Sequence, residues 1–273
     1  MKRFVCVCMC ALCSMAFASD APRRKLIAFG WDFLAVTPEE VLANADAINQ
    51  TGLDGVLLMV EKSLADGRKL SFRTVMNDPV WPATAFADKV DVFRQIVQHP
   101  ALKESFLCAL WAPKKRLSWQ DDGEWERFSA NMAEMARLAK DGGLRGIMVD
   151  VEDYPRARQY FWCGQDGDYG AVAQIARRRG AQVGREMFAA YPDMVLISTW
   201  FLSLTTDYFA APDPIAAARA NNDLWPAFVN GLLDVIPPTA RMVDGNEHAY
   251  SFEYTDNGYS RSACHQRVGA LGL

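Results

Sequence analysis

Six short, nearly continuous apolar runs separated by long amphipathic stretches restrict this chain more than any other feature. The runs are Leu26 to Phe29, Gly55 to Val60, Phe106 to Leu110, Gly146 to Val151, Met194 to Thr199 and Ala240 to Val243, the last interrupted by Arg241. Runs of this length suit parallel strands covered on both faces, where no position has to meet water. The stretches between them read as helices. Thr37-Pro38-Glu39-Glu40 offers an N-cap, a proline in the first turn and a capping-box glutamate, followed by the apolar stripe Val41, Leu42, Ala45 and Ile48. A second helix is expected from Asp121 or Asp122 to Gly142-Gly143, burying Trp125, Phe128, Met132 and Met135. Two more are expected over Tyr169 to Ala190 and Asp223 to Val235.

Strand–helix alternation of this kind builds a parallel sheet with right-handed crossovers. No glycine-rich phosphate loop follows the first run, which continues as Phe29-Gly30-Trp31-Asp32-Phe33. A nucleotide-binding doubly wound sheet is therefore disfavoured. The expectation is an α/β fold of the (β/α)8 TIM-type barrel class. Only six strands are legible, and Ser251 to Leu273 is too short for two more strand–helix units. Either strands lie hidden between Ser63 and Phe86, or the barrel is incomplete at the C-terminus; the abrupt ending Gly-Ala-Leu-Gly-Leu favours the second.

The first residues read differently. Lys2-Arg3, the apolar run Phe4 to Phe17 and Ala16-Phe17-Ala18 describe a cleavable signal peptide over residues 1–18. Residues 19–273 are then a single barrel domain, secreted or periplasmic. Lipoprotein anchoring is the weaker alternative, because Cys10-Ala11-Leu12 before Cys13 lacks the usual leucine-small-small run. No later stretch is long and apolar enough for stable membrane insertion. Loss of the leader leaves Cys108, Cys163 and Cys264, which allow at most one disulfide. The formal net charge of −4 argues against a nucleic-acid partner, which needs a basic face. No Cys/His cluster suggests a metal, and no cofactor is expected. The oligomeric state is not legible.

In a parallel barrel, chemistry gathers at the C-terminal ends of the strands. Here those ends carry Trp31-Asp32, Glu61, Trp111, Asp150-Val-Glu152-Asp-Tyr154, Trp200 and Asp244-Gly-Asn-Glu247-His248. Any one would pass as a loop edge, and an isolated tryptophan is more often core than platform. Six ends of this kind, with carboxylates among tryptophans, describe a carbohydrate cleft, in which indoles stack on sugar faces. Asp150 and Glu152 lie two apart, so on a strand they share a face with roughly 7 Å between them. Two such carboxylates repel when ionised, so one pKa rises towards the range of a general acid. Glu247 is the best second acid and Asp244 its alternative. Trp31, Asp32, Glu61, Trp111, Tyr154, Trp200, Asp244 and His248 are the expected substrate-binding residues.

The segment Gly146-Ile-Met-Val-Asp-Val-Glu-Asp-Tyr-Pro155 resembles the strand-four signature of the chitinase-like family 18 glycoside hydrolases, Asp-x-x-Asp-x-Asp-x-Glu followed by Tyr-Pro. The last Asp and the Glu of that pattern match Asp150 and Glu152. Met148 and Arg145 stand where its earlier acids would be, and Asp153 is inserted before Tyr154-Pro155. The resemblance implies a glycosidase-like barrel in which Glu152 is general acid/base, Asp150 orients it, and Glu247 is nucleophile or base. The alternative reading is a non-catalytic carbohydrate-binding barrel.

Overall fold

A computed structural model of the chain describes residues 25–29 and 35–247. The expected signal peptide, Trp31, Asp32, His248 and Cys264 lie outside these residues.

Six parallel strands form the main sheet: β1 (Ile27–Ala28), β2 (Gly55–Leu58), β5 (Phe106–Leu110), β6 (Gly146–Asp150), β7 (Val195–Ser198) and β8 (Arg241–Asp244). A separate antiparallel hairpin, β3 (Glu61–Ser63) with β4 (Lys69–Ser71), intervenes after β2. The stretch from Ser63 to Phe86 thus supplies a hairpin arm and no further barrel strand. The strand order β1-β2-β5-β6-β7-β8 never reverses, so every crossover advances in one direction. Such a sheet curls instead of switching faces, and here it forms a parallel half-barrel. Among the described residues β1 and β8 are its two edges; a closed eight-stranded barrel is not formed.

The helices follow the sequence pattern closely. Thr37 caps α1 (Pro38–Ala43) with the reciprocal Glu40 bonds of a capping box, at 3.2 Å and 2.7 Å. Asn44 then breaks what the apolar stripe suggested was one helix, and α2 (Ala45–Asn49) follows. After α3 (Val90–Gln98) come the two long helices, α4 (Asp122–Asp141) and α5 (Tyr169–Ala190). Asp121 and Asp168 cap them through their carboxylates. Three short helices, α6 (Thr206–Ala210), α7 (Pro214–Ala220) and α8 (Trp225–Leu233), complete the order.

α5 and α8 touch along their backbones, because glycines face each other across the crossing. A Cβ on Gly180 would lie 1.9 Å from the carbonyl oxygen of Phe228, and one on Gly231 would lie 1.9 Å from that of Arg177. An aromatic cluster fills the layer between sheet and helices. Trp125 stacks on Trp119 at 5.0 Å, and Trp111 meets Phe128 and Phe228 edge-on at 5.7 Å and 5.9 Å. Edge-to-face contacts at these spacings use the ring quadrupoles as well as apolar burial.

Register decides which acids enter the half-barrel. Cys108, Met148, Ile197 and Val243 pair in one row across β5 to β8. Met148 and Ile197 line an interior cavity of about 300 Å3 with Leu57, Thr199 and Glu247. Asp150, two residues beyond Met148, continues that inner face. Asp244 pairs with Ser198, which pairs with Val149, and so it belongs to the opposite face.

Candidate active site

The site assembles from β6, β8 and the turns that follow them. Asp150 ends β6 and is 1 % exposed. Its carboxylate accepts the Glu152 N–H at 2.9 Å, which ends the strand and turns the next residues across the barrel mouth. Burial pushes the Asp150 carboxyl up to about 6; the charges of Glu152 and Glu247 add to the rise, and Arg73 opposes it. Tyr154, at the rim and 52 % exposed, donates its hydroxyl to Glu152 Oε2 at 2.5 Å. That acceptor, with burial second, holds the phenol above its ordinary pKa, so it stays a donor throughout the neutral range.

Glu247 reaches the same place from β8. Gly245 donates to the Ser198 carbonyl at 2.8 Å and Glu247 to the Thr199 carbonyl at 3.1 Å. Gly245 is required by close approach, since a Cβ there would lie 2.5 Å from the Ser198 oxygen. Asn246 turns through left-handed backbone, φ 47°, with its N–H on Asp244 Oδ1 at 2.8 Å. The result puts Glu247 on the wall of the interior cavity. Its Oε2 is buried and has no hydrogen-bond partner among the described residues. Burial first, and then the Glu152 charge, raise its pKa.

Asp150, Glu152 and Glu247 are therefore brought together and sense one another's charge. Asp244 is not part of the group. Its carboxylate accepts the N–H groups of Phe201, Leu202 and Ser203 at 2.8–3.0 Å, the Ser203 hydroxyl at 2.7 Å and the Asn246 N–H. It shapes the turns around the site, and of the two only Glu247 joins the group.

The expected binding residues divide in the same way. Glu61 sits on the exposed hairpin and accepts the Ser71 hydroxyl at 3.0 Å. Trp111 is 0 % exposed and donates its indole N–H to Met132 Sδ at 3.3 Å. With both faces packed, it is a core residue and not a sugar platform. Trp200 is half-buried and lines a second cavity of about 430 Å3, walled by the loops after β5, β6 and β7. Arg73 is the residue that sequence reasoning missed. It follows β4, and only the hairpin's fold brings it near Asp150 and Cys108. No spacing in the sequence signals it.

Cys108 and Cys163 are free thiols, and burial pushes Cys108 far above its usual range. Among the described residues no three His, Cys, Asp or Glu side chains are placed to hold a metal ion. Nor, among them, is any helix long and apolar enough to cross a membrane. No family model, no curated protein and no solved structure matches the chain.

Proposed function

We propose that this chain is an exported glycoside hydrolase working by two carboxylates at the mouth of the half-barrel. One observation carries the reading: Glu247 lines the interior cavity, and Asp150 and Glu152, at and just past the end of β6, lie close enough for the three charges to act on one another. Glycoside hydrolysis needs two carboxyl groups in unlike states, one giving a proton and one acting as an anion. The surroundings differ in that sense. Glu152 accepts the Tyr154 hydroxyl at 2.5 Å, so one of its oxygens already has a donor. Glu247 has a buried oxygen without a donor and a raised pKa. The geometry therefore favours Glu247 as the proton donor and Glu152 as nucleophile or base, the reverse of the roles the motif implies. Asp150 positions Glu152 through its backbone N–H.

The test is turnover on a broad glycan panel by Glu152→Gln and Glu247→Gln, which keep shape and remove ionisation. Each should lose about 10²–10⁴-fold in kcat with little change in ligand affinity. Loss of the Glu247 carboxyl should also remove the alkaline limb of the pH–rate profile, which a proton donor sets. Binding without any hydrolysis that depends on these residues would support a carbohydrate-binding barrel instead.

A further inference from the structure

The cavity of about 430 Å3 beside the carboxylates is shaped by the loop that follows β6. Asp153 organises that loop, accepting the Ala157 N–H at 3.0 Å and the Arg158 N–H at 2.5 Å. Arg156 and Arg158 both take left-handed backbone, φ 59° and 54°. Non-glycine residues keep that conformation only where surrounding bonds impose it. Arg158 is thereby set on the cavity wall, its guanidinium carbon 5.2 Å from the centre of the Phe161 ring. Phe161 is fixed in turn by a bridge to Asp223 and by the Leu224 N–H on the Tyr160 carbonyl at 2.8 Å. A cation laid on an aromatic face is anchored without being neutralised.

The acids of this cavity are otherwise engaged. Asp153 serves the two backbone donors just named. Asp223 accepts the Trp225 N–H at 2.9 Å and the Tyr208 hydroxyl at 3.3 Å, and burial raises its pKa. No carboxylate pairs with the Arg158 guanidinium among the described residues, whereas nearby Arg116 is held by Asp166 at 2.7 Å. Trp200 supplies a half-buried indole on the same cavity.

We propose that this cavity is a subsite for a sugar that carries a carboxylate, a hexuronic acid residue, gripped by Arg158 and stacked on Trp200. The assignment rests on the glycan reading above and names its substrate class. A guanidinium presents parallel donors that match a carboxylate, and a neutral sugar leaves that match unused.

The experiment compares free acid with ester on the full chain. The methyl glycosides of D-glucuronate and D-galacturonate, and their methyl esters, are titrated while tryptophan fluorescence is followed. At least one free acid should bind about tenfold or more tightly than its ester, as expected for a charge-assisted pair. Arg158→Gln, shown folded by circular dichroism, should bring acid and ester to equal affinity, and Arg158→Lys should restore part of the difference. Equal binding of acid and ester by the unaltered chain, no binding of either, or a preference that survives Arg158→Gln overturns the proposal. Equal binding leaves the glycan reading in place. An Arg158-dependent preference in a chain whose hydrolysis does not depend on Glu152 supports the subsite and removes the enzymatic reading.

Discussion

Asp150→Asn should make the protein more stable at neutral pH, although it replaces a residue at the centre of the site. Asp150 is 1 % exposed, and burial raises its pKa from 3.8 to about 6. The folded state thus holds this proton more tightly than the unfolded chain does. The stabilisation linked to it is complete below the unfolded value and is lost as pH rises through about 6. Above that, folding carries the cost of a buried anion beside Glu152 and Glu247. The difference between 3.8 and about 6, which already includes the opposing charge of Arg73, corresponds to about 3 kcal/mol at 1.36 kcal/mol per pH unit. Asparagine keeps the carbonyl oxygen that accepts the Glu152 N–H at 2.9 Å and has no charge. The variant should gain about 2–3 kcal/mol over wild type at pH 8 and little at pH 4. For a chain of this size that is a rise in Tm of roughly 4–12 °C. Parallel thermal melts at several pH values from 4 to 8 measure it. A stability difference that does not change with pH, or that favours wild type more as pH rises, refutes the reasoning.

Two structural predictions accompany it. Asp244→Ala removes the acceptor for four backbone N–H groups and the Ser203 hydroxyl, so urea denaturation should show a loss of about 2–4 kcal/mol. Hydrogen exchange at residues 201–203 should accelerate, and a variant as protected as wild type there would refute the assigned role. Gly180→Ala must push α5 away from α8, since its Cβ would lie 1.9 Å from a carbonyl oxygen, and should cost about 3 kcal/mol or more. Gly123→Ala, near the start of α4 with only side-chain atoms at 3.4 Å and beyond, should be neutral or stabilise by up to about 1 kcal/mol. Equal effects of the two alanines would refute the packing argument.

The sequence by itself determined the six parallel strands, the two long helices and their order. Apolar runs of strand length, a capping box at Thr37 and the caps at Asp121 and Asp168 act over a few residues, so their signals are contiguous and readable. The α/β class was legible for the same reason, whereas Glu152, read as sharing a strand face with Asp150, lies beyond the end of β6. Trp111 was read too generously as a binding residue. Trp81, Trp111, Trp119, Trp125 and Trp225 are core, because a large apolar ring is buried by whichever helix crosses it, and the chain does not announce the crossing. The tertiary structure alone decided the rest. Strand register turned Asp244 away from the cavity, and a turn through Asn246 brought Glu247 into it. The β3–β4 hairpin carried Arg73 to Asp150, and strained backbone carried Arg158 to Phe161. Each of these depends on which face of a strand or loop meets another far along the chain. A one-residue change of register reverses that choice and leaves the local pattern untouched.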